Sequence, residues 1–578
     1  MRKGLAGIAF LGLAVAGCGG GSGNESTPEA SGALQAGGIT GVRYDTPTRQ
    51  GTTDSTGMFK YLPGETVTFS IGAIRLGAIP GASIVTPFTL AGLTPPTTEY
   101  SLRRELDRAQ RTATPFVRAA NMQRLFMALD ADNNPANGYD LRDAETRLAG
   151  ATIDLDLRLV EFAVALDKLV PNLTHGIPLS RPVVRLYREA GLVVAGHGQT
   201  RSETTSDFNP VPTVDFMTYG PDGARQSRGS SYDGDNDSES LDSWLYDDMG
   251  RITTVSSLFT PFFGMPPQIR HFTYERDSRG ALTGGYDEVH VDDDGLPDYR
   301  YRYDLEADAH GFLVLQTMKL DIGVDGVDDR RADYRLEYDT RHNQTGGWYE
   351  GDENLDGIVD WRVVFDRAVD ANDRPTETSQ ESDMNADGIV DTRSRESWDY
   401  SVAGTTVYEN LHDADADGVV EVRYTSITRR DRNGNVTSQD EAYDYDNDGV
   451  IDYSLRLVAS YDGQRRLLTQ QRREDYDADG TFDSLNADEF TYDGIGNRLT
   501  ARNDLDDGID GQLDAWATES FEYGTGGEWL GSRFDFHAPS NPEPGFGSTT
   551  AVTQTPFTDG VLLLASEYLD WGLAGAAQ

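Results

Sequence analysis

Residues Asp383-Met-Asn385-Ala-Asp387-Gly388-Ile-Val-Asp391 put oxygen-bearing side chains at positions one, three and five, glycine at six and an aspartate at nine. The pattern recurs as Asp352, Asn354, Asp356, Gly357, Asp360 and as Asp413, Asp415, Asp417, Gly418, Glu421. It returns as Asp444, Asp446, Asp448, Gly449, Asp452 and as Asp475, Asp477, Asp479, Gly480, Asp483. Such alternation suits a hard cation. Calcium takes about six to eight oxygen ligands, and glycine at position six permits the sharp turn that wraps them. Carboxylates crowded into one loop repel one another unless a cation lies among them. Ca²⁺ is therefore the expected cofactor, with these residues as its ligands.

Three further copies are altered. Asp321, Asp325, Asp329 and Asp506, Asp510, Asp514 carry glycine at position three (Gly323 and Gly508). In the copy with Asp292, Asp294, Gly295 and Asp298, position one is His290. A degenerate copy, Asp233, Asp235 and Asp237, has Ser238 where glycine is expected. These loops are not EF-hands, which need a bidentate glutamate at position twelve. Here that position is Val363, Ser394, Tyr424, Leu455 or Asn486, so the acid at position nine is the expected bidentate ligand.

The elements that carry the loops follow from their spacing. The turn glycines stand at Gly295, Gly326, Gly357, Gly388, Gly418, Gly449, Gly480 and Gly511, every gap being 31 residues except one of 30. A fixed period of this size marks a repeat architecture. After each loop the chain alternates. Tyr453, Leu455, Leu457, Ala459 and Tyr461 share one strand face, and so in the same phase do Trp361, Val363, Phe365 and Tyr334, Leu336, Tyr338. Tyr299, Tyr301, Tyr303, Phe490, Tyr492, Phe521 and Tyr523 are expected inward as well.

Each strand reaches a second turn, as in Tyr246-Asp-Asp-Met-Gly250, Asp431-Arg-Asn-Gly434, Tyr461-Asp-Gly and Tyr492-Asp-Gly-Ile-Gly496. Asp, Asn and Gly supply the caps and positive φ of tight hairpins. These turns resemble the YD repeats of RHS-type proteins, which implies a long antiparallel strand spiral. The Gly-Arg-Leu part of that repeat is often missing here. Each unit is one hairpin, with acidic loops along one margin of the sheet and YD-type turns along the other. A sheet of sixteen or more strands must curl, split or close. The expected fold is multidomain and mainly β, with a coiled or barrel-like antiparallel meander over 231–531. The alternative is a β-propeller of the integrin FG-GAP kind, whose loops look similar but recur at about twice this spacing.

Residues 1–17 read as a signal peptide, with Arg2 and Lys3 before an apolar run too short to span a bilayer. The run ends in Val15-Ala16-Gly17-Cys18, which resembles the lipobox of bacterial lipoproteins and implies lipidation of Cys18, the only cysteine. Gly19 after it favours, by the same resemblance, sorting to the outer membrane. Residues 18–37 read as a flexible tether. Residues 38–99 read as a small β-sandwich-like domain. Its run from Gly51 to Phe69 resembles the carboxypeptidase regulatory-like modules of bacterial lipoproteins, which implies a spacer role. Residues 100–198 read as a helical domain, with helices expected over Pro115–Leu129, Leu157–Leu169 and Arg181–Glu189. Residues 199–230 read as a linker, and 532–578 as a C-terminal cap with a short amphipathic helix.

The net charge of −46 argues against nucleic acid as a partner. No metalloprotease, nucleophile-elbow or phosphate-loop motif is present, so no catalytic residue is assigned. The expected function is that of a calcium-binding lipoprotein held at the bacterial cell surface by its lipid anchor, with a structural or adhesive repeat domain facing a surface protein or polysaccharide. An exported polymer-acting enzyme or a polysaccharide-binding β-propeller is the alternative.

Overall fold

The computed structural model describes residues 28–35, 38–132, 134, 137–148, 150–170, 177–207, 211–220, 223–231, 240–247, 250–260, 267–277, 281–291, 295–308, 311–539 and 545–570. Cys18, the Asp233 copy, Asp292 and Asp294 lie outside these.

Strands from Gly196–Ser206 to Gly547–Phe557 run in sequence order around a closed antiparallel barrel of 24 strands. The first and last strands close it, pairing from Gly196 with Phe557 through Ser206 with Ser548. A propeller is excluded, because every strand pairs with its sequence neighbours in one continuous sheet. The barrel is also larger than the repeat pattern suggested. The stretch 199–230 is not a linker, because it supplies residues to three strands, Gly196–Ser206, Thr213–Tyr219 and Arg225–Ser231. The segment read as a tail supplies Gly547–Phe557 and most of Trp529–His537. These strands are rich in Ser, Thr, Gln and Arg and lack the acidic-loop punctuation.

The 31-residue period has a simple anatomy. Two nine-residue strands, such as Gln344–Asp352 and Trp361–Val369, an eight-residue acidic loop and a five-residue turn complete one unit. The single 30-residue gap falls where Thr392–Asp399 has eight residues. Most strands entering a turn slip register just before it, as between Ala368 and Val369, whereas Thr392–Asp399 pairs with its successor without a shift. The missing residue is the bulge residue.

The turn margin is built by aspartates. Asp370 N–H donates to the Arg374 carbonyl (2.9 Å), and Asp370 Oδ1 accepts from the Asn372 and Arg374 amides. Asp339, Asp431, Asp462 and Asp493 cap their turns likewise.

The wall is one layer thick, with one face less exposed than the other. In Trp361–Val369, Val363 and Phe365 are buried while Arg362, Val364 and Asp366 on the other face are exposed. The less exposed face carries an aromatic row. Its ring-centroid spacings are 5.3 Å from Trp398 to Tyr408, 5.7 Å on to Tyr424, 4.5 Å on to Tyr443 and 5.5 Å on to Tyr453. Such cross-strand pairs are the unit of sheet stabilisation.

The N-terminal residues form a mixed α/β cap. A four-stranded sheet (Arg43–Asp45, Gln50–Thr52, Thr66–Ile71, Ile74–Pro80) and a three-stranded sheet share one core with helices. The tether reading ends too late, because Ala30–Leu34 pairs with Met58–Tyr61 in the latter sheet. The helices are α1 (Pro87–Leu90), α2 (Glu99–Arg111), α3 (Pro115–Leu129), α4 (Ala144–Leu148), α5 (Leu159–Leu169) and α6 (Ser180–Glu189). Helix α3 starts with Pro115 at its first turn behind Thr114, whose hydroxyl accepts from Val117 N–H (3.2 Å). It is buried nearly all round, joining the sheet core on one side to a helical core on the other. After the last strand, α7 (Val561–Ala565) enters that helical core with every residue buried, and the chain stays helical over Ser566–Asp570, which adds Ser566, Glu567 and Asp570 to the apolar turns.

The cap seats on the turn margin of the barrel at well-separated places. Lys168 Nζ donates to Asn343 Oδ1 (2.9 Å) and pairs with Asp373 (3.3 Å). Arg465 Nη1 donates to the Arg111 carbonyl (2.8 Å), and the Arg181 guanidinium lies 5.7 Å from the Tyr246 ring centre. The acidic loops stand at the opposite margin.

Candidate functional site

Each acidic loop is a short strand-to-strand bend that uses its own carboxylates as internal caps. In eight loops the N–H of position two donates to the acid at position nine, at 2.6–2.7 Å, from Val291–Asp298 through Asp507–Asp514. In seven, the glycine N–H donates to the position-one aspartate at 2.8–3.0 Å. Position five accepts from the N–H of position seven at 2.7–2.9 Å. The glycines at position six have φ between +79° and +91°. At position four, Val324, Leu355, Ala386, Ala416, Asn447, Ala478 and Ile509 hold φ of +47° to +55°, a left-handed conformation that β-branched Val324 and Ile509 adopt at a cost.

Three loops bring ligand atoms within 4.8 Å of one another: Asp413, Asp415, Asp417 and Glu421; Asp444, Asp446 and Asp452; Asp475, Asp477 and Asp483. Asp448 and Asp479 stay outside their clusters, and among the described residues the carboxylates of the Asp321, Asp352, Asp383 and Asp506 loops do not all come so close. Asn354 and Asn385 place Oδ1 2.9 Å from the amides of Asp356 and Asp387.

Position one is where burial and charge conflict. Asp413 is 6% exposed and Asp475 3%, and Oδ1 of each has no hydrogen-bond partner among the described residues. In the Asp444 loop the equivalent oxygen accepts from Asp448 N–H (3.1 Å). The glycine-substituted loops are fastened differently. Gly323 N–H donates to the Asp298 carbonyl (2.6 Å) and Gly508 N–H to the Asp483 carbonyl (2.5 Å), tying each loop to its predecessor.

A second group of ionisable residues, not signalled by any sequence motif, lies where the cap meets the barrel. Arg103 on α2 pairs with Glu99 (2.9 Å) and with Glu567 (3.3 Å) beyond α7, and donates to the His197 carbonyl (3.1 Å). Burial, with Glu99 adding to it, pushes the Glu567 carboxyl up to about 7 despite Arg103. Asp570 is pushed up to about 6 by burial while accepting from Ser180 N–H (2.9 Å). Glu99, His197 and Glu528 also offer ligand atoms within 4.8 Å of one another, but Glu99 is already held by Arg103 and by the His197 backbone. At the outer turns, by contrast, the Arg374 guanidinium holds the Asp370 carboxyl down at about 2.

No protein-family model matches the chain, and no curated protein does. Among solved structures, a porin-like protein from Bacteroides vulgatus is 10% identical, with 47% of this chain and 97% of that one covered and a TM-score of 0.19. A porin-like protein from Bacteroides uniformis is 10% identical over 62% of this chain and 96% of that one, with a TM-score of 0.17. TcdB2-TccC3 without its hypervariable C-terminal region is 12% identical, with a TM-score of 0.12; 61% of this chain aligns with only 25% of that one. Likeness at this level assigns nothing further to this chain.

Proposed function

We propose that this protein is a calcium-binding, lipid-anchored component of the bacterial cell envelope, whose barrel is a rigid structural or adhesive element stiffened by ions along its acidic margin. The observation that carries the proposal is the pair of buried, unpartnered Oδ1 atoms of Asp413 and Asp475, each inside a cluster of carboxylates. Leaving a buried acceptor unmet costs about 1–3 kcal/mol, and more when it is charged. A divalent cation removes that cost and the mutual repulsion together. The anchor rests on Cys18 and the lipobox before it.

The mechanism is linkage. Calcium binds the folded loops and not the unfolded chain, so at tenfold over Kd each site stabilises by about 1.4 kcal/mol. Extracellular calcium modules bind at roughly 10⁻⁴–10⁻³ M. Calorimetric titration of the purified protein with CaCl₂ is expected to register uptake of several ions per chain, and EDTA to lower the melting temperature. An absence of uptake, with melting indifferent to EDTA, would sink the proposal.

A further inference from the structure

Between the underside of the cap and the less exposed face of the barrel wall lies a cavity of about 530 Å³. That is the size of a small-ligand site. Tyr492, Phe521, Tyr523 and Trp529, from neighbouring strands and the turn-proximal end of the wall, give it aromatic surface. The cavity is not otherwise apolar. Gln199 and Glu519 line it, half-buried, and neither side chain has a hydrogen-bond partner among the described residues.

Four arginines border this space, and Arg228 among them is exposed to solvent. Arg103 is taken by Glu99 and Glu567, and Arg111 by Asp107. Arg498 is 8% exposed, its Nε has no hydrogen-bond partner, and no carboxylate lies within 4.0 Å of it among the described residues. The guanidinium lies over the Phe490 ring, whose centre is 4.4 Å from the guanidinium carbon. An aromatic face attracts the charge but accepts none of its N–H groups in the plane. A guanidinium in that state is met best by a carboxylate, which takes two parallel N–H bonds.

We propose that the cavity binds a carboxylated sugar, a uronic-acid unit of an acidic polysaccharide. Arg498 takes the carboxylate. One or more of the four rings takes the apolar face of the pyranose, because aromatic side chains offer a large flat surface. Gln199 and Glu519 take hydroxyls. A fatty acid would satisfy Arg498 but leave those two polar groups unmet, which costs affinity. A phosphate dianion would meet greater repulsion from Glu519 than a singly charged carboxylate does. The binding uses groups at the turn margin, remote from the acidic loops, and does not depend on their holding calcium.

The test is calorimetric titration of the full chain, in buffer with calcium, with the trisaccharide of galacturonic acid and with the neutral galactose trisaccharide. The acidic sugar is expected to bind and the neutral one to bind far more weakly. Arg498→Gln should weaken the acidic sugar by roughly 10- to 100-fold, the range for losing a charged hydrogen-bond partner. Should that variant melt well below the parent, Trp529→Leu decides, and loss of binding in it supports the site. The proposal is overturned if neither sugar binds, if both bind alike, or if the acidic sugar binds a folded Arg498→Gln or Trp529→Leu protein as it binds the parent.

Discussion

Phe59, Phe69, Phe126 and Phe162 in the cap are at most 1% exposed, and two buried clusters knit its sheets and helices together. The barrel wall, which is much the longer part of the chain, buries Val363, Phe365, Leu455 and Ala459 at 4–8% exposure and few other apolar residues. One region is held by apolar burial. The other is a single layer held by its hydrogen-bond ladder, aromatic pairs and the polar caps at its two margins. A closed sheet has no edge to protect, so it can dispense with a core, but its loops then carry a larger share of its stability.

The sharpest way to break this contrast is to truncate one aromatic in each region. Phe126→Ala should cost about 3–5 kcal/mol, as expected for a fully buried ring. Tyr424→Ala, which loses one member of the aromatic row, should cost about 0.5–1.5 kcal/mol beyond its modest burial. Denaturant unfolding of both variants checks this, and equal losses would erase the distinction.

The next prediction separates ion binding from folding. Asp475→Asn in calcium should lose about 1.4 kcal/mol at tenfold over Kd. In EDTA the same change should be neutral or stabilising, because it removes an unmatched buried charge. The melting temperature should therefore fall in calcium and hold or rise in EDTA; equal falls under both conditions would mean that Asp475 is only a turn residue.

An effect of similar size is expected from glycines that look alike in sequence. Gly388→Ala forces a Cβ onto φ +86° with nothing within 4 Å, so its cost is backbone strain alone, about 1–2 kcal/mol. At Gly77 in the cap, φ is ordinary, but a Cβ would lie 2.9 Å from the Leu90 carbonyl oxygen. Gly77→Ala should therefore perturb packing around α1, visible as altered amide shifts there, while Gly388→Ala leaves its surroundings unmoved.

The smallest effect is in pH dependence, and its sign differs between the regions. Glu567 and Asp570 are raised to about 7 and about 6, so their contribution is full below their unfolded values near 4.5 and 3.8 and is lost as pH rises through 6–7. Asp370 is lowered to about 2, so the turn it caps is favoured above pH 3.8 and weakens as pH falls toward 2. Hydrogen exchange, corrected for intrinsic rates, should find α7 loosening between pH 4.5 and 7. Glu567→Gln should flatten that trend, and a profile unchanged by it would remove Glu567 as the cause.

Much of the wall was legible in the chain because its determinants are contiguous. Asp383 to Asp391 contain their own caps and turn glycine, and alternation from Tyr453 to Tyr461 sets which side chains share a face. Helix α3 was legible for the same reason, whereas α2 was not: its apolar positions are only Leu102, Leu106 and Ala109 amid charges, and the Thr98–Ser101 capping box was its one local signal. The strands over 199–230 carry no acidic loop and no apolar stripe to mark them in the sequence.

What the sequence alone determined is the repeating hairpin: its 31-residue unit, its two kinds of turn and the phase of its aromatic row, all set by neighbours along the chain. Tertiary structure alone decided that the sheet closes, that Thr204 meets Thr550 across 346 residues, that α7 returns to the cap, and that Arg498 Nε lies buried without an acceptor among the described residues. Closure depends on twist and register summed over every strand, and burial depends on which distant surfaces then meet. Neither quantity is stored in any short stretch of residues.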